Sequence, residues 1–154
     1  MRLIPILALA VFAVPAFAQS GSSAEVFTGK DVAGQLTALV EKARPTGSSG
    51  ATLGDYKSHS IRLSVRTASG GAEIHQHYDD IFVVTDGSAT LITGGTVIDP
   101  KTGADGETRG TRIQDGKSQT IMKDDIVHIP AGTPHQLIMA PGTTYSSIVV
   151  KVRE

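Results

Sequence analysis

"AEIHQHYDDIFVVTDG", Ala72 to Gly87, sets two histidines, His75 and His77, among the acids Glu73, Asp79 and Asp80, directly before the apolar run Ile81–Val84. Four apolar residues closed by Thr-Asp-Gly read as a short buried strand ending in a turn. On a strand, residues i and i+2 share a face roughly 6–7 Å apart. Glu73, His75 and His77 are therefore expected to point the same way, into an interior. Imidazoles on an apolar wall are costly unless they are hydrogen-bonded or metal-bound. Neutral imidazoles beside a carboxylate suit a divalent metal.

A distant histidine belongs with these. In "PAGTPHQL", Pro130 to Leu137, the residues Pro130, Gly132 and Pro134 form a rigid turn that presents His135 at the start of the next strand. Ligands from the two segments would then make one site.

The surrounding chain is mostly period-two. "KSHSIRLSVRT", Lys57 to Thr67, alternates between a face with His59, Ile61, Leu63 and Val65 and a face with Ser58, Ser60, Arg62, Ser64 and Arg66. The apolar face is expected inward with His59 on it as a hydrogen-bonded core residue, and the arginines outward over the sheet surface or in a dimer interface. "SATLITGGTVI", "DIVHIPAGTPHQLIMA" and "TTYSSIVVKV" add further strands. Residues 99–119 are polar and glycine-rich and read as a long exposed loop with at most a short hairpin. His128 reads as a structural or surface residue and Asp79 as a solvent-facing one.

Before this β region, Val32, Leu36, Leu39, Val40 and Ala43 form the stripe of an amphipathic helix, capped by Thr28 or Asp31 and followed by Pro45. "PTGSSGATLG", residues 45–54, reads as a loop. One helix and about eight short strands imply an all-β jelly roll or small β-barrel.

Composition narrows the chemistry. The 154 residues suffice for one domain with a real core. A net charge of −1, with 19% charged residues, gives no polycationic surface for nucleic acid. With no cysteine, disulfides, thiolate metal sites and cysteine nucleophiles are all excluded, leaving only nitrogen and oxygen ligands for a metal. No serine sits in a strand–turn–helix elbow, and Thr93–Gly95 is no phosphate loop, since no lysine follows.

The N-terminus reads as a targeting segment. Met1-Arg2 is a short basic start, Leu3–Val14 is apolar apart from Pro5, and "AFA" at Ala16–Ala18 fits small-x-small cleavage. The stretch is too short and Pro-interrupted for a good membrane span. A secretory signal peptide over 1–18 is expected, leaving Gln19 first and the protein secreted or periplasmic, with no membrane attachment after cleavage. An N-terminal helix and linker would fill 19–55, and a β-barrel 56–154.

From Tyr56 to Val152 the chain resembles a single-domain cupin. "PAGTPH" matches the centre of the superfamily's second motif, and "DIFVVTDG" matches the tail of the first, with Asp80 in the glutamate place and Gly87 correctly spaced behind it. Only two residues separate His77 from Asp80, where the family has three or four, so two registers are open. One uses His75, His77, Asp80 and His135; the other uses Glu73, His75, Asp80 and His135. Asp124 and Met139 replace the second motif's opening glycine and closing asparagine.

The resemblance implies a cupin-type jelly-roll β-barrel with one N-terminal helix. It also implies a divalent metal (Mn, Fe, Ni or Zn), a small carboxylate or carbohydrate-derived substrate, and lyase, isomerase or dioxygenase chemistry. Whichever of Glu73 and His77 is not a ligand could shuttle protons. Pairing into a homodimer through sheet edges is also implied. The alternative is a non-catalytic cupin module that holds a small molecule.

Overall fold

The structure is a computed structural model that describes residues 23–154, so the expected signal peptide lies outside the described residues. Helix α1 spans Gly29–Ala43. The strands are β1 (Ser48–Asp55), β2 (His59–Arg66), β3 (Ala72–His75), β4 (Tyr78–Thr93), β5 (Thr96–Ile98), β6 (Lys101–Thr102), β7 (Glu107–Gly110), β8 (Arg112–Gln114), β9 (Lys117–Met122), β10 (Ile126–Ile129), β11 (His135–Ile138) and β12 (Tyr145–Arg153). Among the described residues no helix is long and apolar enough to cross a membrane.

The long strand β4 joins two antiparallel halves. Its first part pairs with β12 and β10, and β12 continues to β2 and β1. Its second part pairs with β9 and β11, and β11 continues through β3 to β7 and β6. The crossover falls at Gly87, whose φ is +74°. A Cβ there would sit 2.0 Å from the Thr144 carbonyl oxygen, so only glycine lets β4 pass from one half to the other. Between the halves lies a core of Phe82, Val84, Leu91, Ile121, Ile129, Leu137, Tyr145 and Val149, among others. This is an all-β jelly roll with one N-terminal helix, as expected.

Thr28 caps α1: its backbone is extended and its hydroxyl accepts from the Asp31 amide at 3.2 Å. The stripe read from the sequence is the packing face, with Leu39 and Ala43 buried against Leu63 and Val65 of β2 and flanked by Val32, Leu36, Val40, Ala51, Leu53 and Ile148.

That packing corrects the reading of β2. Its apolar face looks away from the jelly-roll interior, toward the helix. Its other face, with Ser60, Arg62, Ser64 and Arg66, lines the internal cleft. Alternation reveals two faces; which of them meets the interior depended on where α1 docks. His59 is correspondingly not a core residue. It is half-buried at the strand start, stacked on Tyr56 at 4.8 Å and 3.0 Å from the Ser58 hydroxyl.

Two loop readings are also corrected. Residues 48–55 are strand β1, paired with β2 from end to end apart from a bulge at Leu53, with Ala51 and Leu53 under the helix. Their Ser, Gly and Ala content carries little strand propensity, so pairing and helix cover supply what composition lacks. Residues 99–119 hold β6, β7, β8 and the start of β9. Ile113 of β8 is buried with Ala72 and Val97, so the small β5–β8 sheet covers the outer side of β3. The strand count is accordingly twelve rather than about eight.

Candidate metal centre

Strand β3 sorts its side chains by alternation. Ala72 and Ile74 pack outward beneath β5 and β8, while Glu73 and His75 face the cleft. His135, first residue of β11, lies directly across from Glu73 in the ladder. One donor atom from each of Glu73, His75 and His135 lies within 4.8 Å of the other two. The imidazole centroids are 5.0 Å apart with planes tilted 54°. Both histidines are only 5% exposed, so the pair is inside the fold and away from bulk solvent.

The ring nitrogens have divided roles. His135 Nδ1 lies 3.0 Å from the Thr133 carbonyl, which can only accept; Nδ1 therefore carries the proton and Nε2 offers its lone pair to the cleft. His75 Nδ1 lies 2.5 Å from Glu107 Oε2, and its Nε2 points to Glu73 at 3.6 Å and Asp80 at 3.3 Å. An outer hydrogen bond of this kind fixes a metal-ligating imidazole in tautomer and orientation.

Asp80, 3% exposed, is the third residue of β4 and stands opposite Lys151 of β12. Its Oδ1 accepts from Lys151 Nζ at 2.8 Å, and its Oδ2 lies 3.3 Å from His75 Nε2 and 3.8 Å from His135 Nε2. Asp80 thus borders both imidazoles but is already held by a cation.

The expected candidates are not all brought together. Glu73, His75, Asp80 and His135 meet; His77 does not. Strand β3 ends at His75, and His77 stands exposed on the turn before β4, outside the cleft lining. The shared face expected for His75 and His77 fails because alternation holds only while the strand continues. The same position leaves His77 no access to the cleft as a proton shuttle.

Residues not anticipated from the sequence complete the surroundings. Glu107 and Arg109 lie on β7, opposite His75 and Glu73, and Arg109 Nη1 donates to Glu73 Oε1. Their i, i+2 spacing in "GETRG" was the available signal within a segment read as loop. Asp79, read as a surface group, is half-buried: it accepts from the Ala131 amide at 2.7 Å and from His128 Nε2 at 2.8 Å. It thereby pins the turn that presents His135.

Charge is balanced tightly here. Burial opposes the Glu73 carboxylate, but Arg109 and Arg66, followed by the two imidazoles, outweigh it and hold its pKa below the ordinary value. Burial likewise opposes ionised Asp80, and the His75 hydrogen bond with the Lys151 charge pulls its pKa down. For His75, burial disfavours the cation, yet Asp80 and Glu107 overcome both burial and Lys151 and raise its pKa. His135 is pushed down, by burial first and by the His75 charge after the opposing Thr133 contact. His75 is therefore the imidazole that carries a proton first, while His135 stays neutral and able to ligate.

Lys151 is tested by Lys151→Met. The change leaves a buried carboxylate without its cation, although the His75 contact remains. A loss of about 2 kcal/mol in the metal-free protein is expected, somewhat below the usual 3–5 for breaking a buried pair, because Lys151 is partly exposed. Urea denaturation of wild type and variant after chelator treatment reads it.

No protein-family model matches the chain, and no curated protein does. Solved structures do. The cupin domain of Cnp3 from Schizosaccharomyces pombe aligns at a TM-score of 0.53 and 11% identity, covering 71% of this chain and 66% of that one. The polyketide cyclase RemF from Streptomyces resistomycificus aligns at 0.52 and 18%, covering 71% and 67%. The DMSP lyase DddQ from Ruegeria pomeroyi aligns at 0.51 and 14%, covering 70% of this chain but only 47% of the lyase, so the chain spans about half of that protein's length. The fold is that of the cupins. Its structural neighbours include a lyase and a cyclase, and it carries a Glu/His/His group able to hold a metal.

Proposed function

We propose that this protein is an exported metal-binding cupin that holds a divalent ion on Glu73, His75 and His135, with Asp80 alongside, and acts on a small molecule in the adjoining cleft. The observation that carries the reading is the convergence of two imidazole rings and a carboxylate, each imidazole facing an acceptor at Nδ1. Such a nitrogen–oxygen set suits Mn, Fe, Ni or Zn. The cleft, about 870 Å³, has room for a small ligand beside the group.

When bound, the ion would supply Lewis-acid polarisation of a substrate oxygen. The chain's own residues do the rest. Glu107 and Thr133 hold the imidazoles in the ligating tautomer, Arg109 steadies Glu73, and Lys151 keeps Asp80 ionised beside both rings. Lyase-, isomerase- or dioxygenase-type chemistry on a small carboxylate or carbohydrate-derived molecule is the activity proposed. The likeness to a DMSP lyase and a polyketide cyclase supports a small-molecule substrate. Export rests on the basic start, apolar run and "AFA" of residues 1–18.

Elemental analysis of protein purified from its exported fraction and dialysed tests this. About one equivalent of a divalent transition metal per chain is expected, from the single Glu/His/His group among the described residues. Protein that retains a small organic ligand and takes up no metal would instead establish the non-catalytic module.

A further inference from the structure

The cleft has two unlike walls. One carries the histidines. Facing it is the inner side of β1, β2 and β12, where Thr52, Ser60, Arg62, Ser64, Arg66 and Ser147 line the space. Ladder register aligns them: Thr52 stands across from Arg62, and Ser64 across from Ser147. The wall is built from hydroxyls and guanidinium groups. Tyr145 lies across from Arg66 on β12 and is fully buried, with a hydroxyl that has no hydrogen-bond partner among the described residues.

The cations of the cleft divide sharply. Arg109 is paired with Glu73, Lys151 with Asp80 and Arg153 with Asp55. Arg62 and Arg66 have neither an acidic partner nor a hydrogen bond among the described residues, although both line the cleft. Arg66 is half-buried and close enough to Glu73 for its charge to stabilise that carboxylate. Its guanidinium lies over Gly70, where a Cβ would come 2.5 Å from Nη1. The Gly70 backbone is pinned at both ends: its amide donates to the Leu137 carbonyl at 3.0 Å and its carbonyl accepts from Gln136 Nε2 at 2.8 Å. A bare glycine on a fixed backbone makes a shelf for the guanidinium.

An unpaired, partly desolvated guanidinium presents a planar fork of donors that matches a carboxylate. Five Lys or Arg and five Asp or Glu side chains line the cleft, so its charges balance without an ion and turn positive with a divalent one.

We propose that the cleft takes a small hydroxylated carboxylate. Arg66 receives its carboxylate group, Arg62 assists at the mouth, and the serine and threonine hydroxyls meet its hydroxyl groups. The far end of the ligand then faces Glu73, His75 and His135. Only this last placement rests on the metal reading; the anion's anchor does not.

D-gluconate and sorbitol, which share a polyol chain and differ in the carboxylate, are the probes. Each is titrated calorimetrically into chelator-treated protein. Gluconate is expected to bind saturably and sorbitol at least about tenfold more weakly, the worth of one charge-assisted hydrogen-bond pair. Arg66→Gln should weaken gluconate by about the same factor. Gly70→Ala should do likewise by displacing the flexible guanidinium, with the unfolding midpoint and metal content unchanged, so loss of fold cannot explain the result.

Equal binding of gluconate and sorbitol, no binding of either, or full gluconate affinity in Arg66→Gln overturns the proposal. The two readings fail separately. Protein that takes up no metal but binds gluconate through Arg66 keeps the anion site and loses the metal centre; stoichiometric metal with no preference for gluconate does the reverse.

Discussion

His135→Ala is expected to abolish stoichiometric metal uptake, weakening affinity by more than about a hundredfold, because loss of even an imidazole's outer hydrogen-bond partner typically costs about 10–100-fold. The variant removes one of two buried Nε2 donors and leaves Glu73 and His75 without the geometry for a third ligand. His75→Ala should behave alike. Glu107→Gln should fall in the range of about 10–100-fold, since the amide holds the His75 ring less firmly than the carboxylate now 2.5 Å from its Nδ1. His77→Ala is the control: exposed on its turn and outside the cleft lining, it should keep wild-type metal content. Mass-spectrometric metal-to-protein ratios after dialysis, with circular dichroism to verify folding, decide among these outcomes. Full metal content in both histidine-to-alanine variants would show that the ion, if any, binds elsewhere.

Leu63→Ala carries the largest expected cost to stability, about 3 kcal/mol, within the usual range for truncating a buried leucine. Leu63 is 1% exposed and lies where β2 meets α1, against Leu39 and Ala43. The side chain is on the strand face opposite Arg62 and Arg66, so the loss should appear in the urea midpoint while the folded protein still loads metal. A loss below about 1 kcal/mol would mean that α1 is not firmly docked, because a cavity there collapses cheaply only if the helix can move.

Several features were legible from local pattern. The helix stripe Val32–Ala43, the turn at Pro130–Pro134 and the alternation of β2 all follow from spacing and turn chemistry between near neighbours. The meeting of His75 with His135 was also legible, because one lies beside acids ahead of a buried strand and the other follows a rigid turn. Strand β1 was not, since serine, glycine and alanine encode little β structure until a partner and a helix cover them. Strand β7 hid inside a polar stretch for the same reason, and with it Glu107 and Arg109.

By itself, then, the chain's pattern determined that strands alternate, that α1 has one sticky face, that His135 follows a rigid turn, and that His75 has carboxylates nearby. Tertiary structure decided what no local pattern contains. The end of β3 after His75 chose Glu73 over His77 as the second cleft-facing group of that segment. The docking of α1 on Leu63 and Val65 turned the arginine face of β2 inward to line the cleft. Pairing across the ladder brought Glu107 to His75 and Lys151 to Asp80. Each of these depends on segments far apart in sequence meeting in one register. A period of two tells which residues share a face; only packing tells what that face meets.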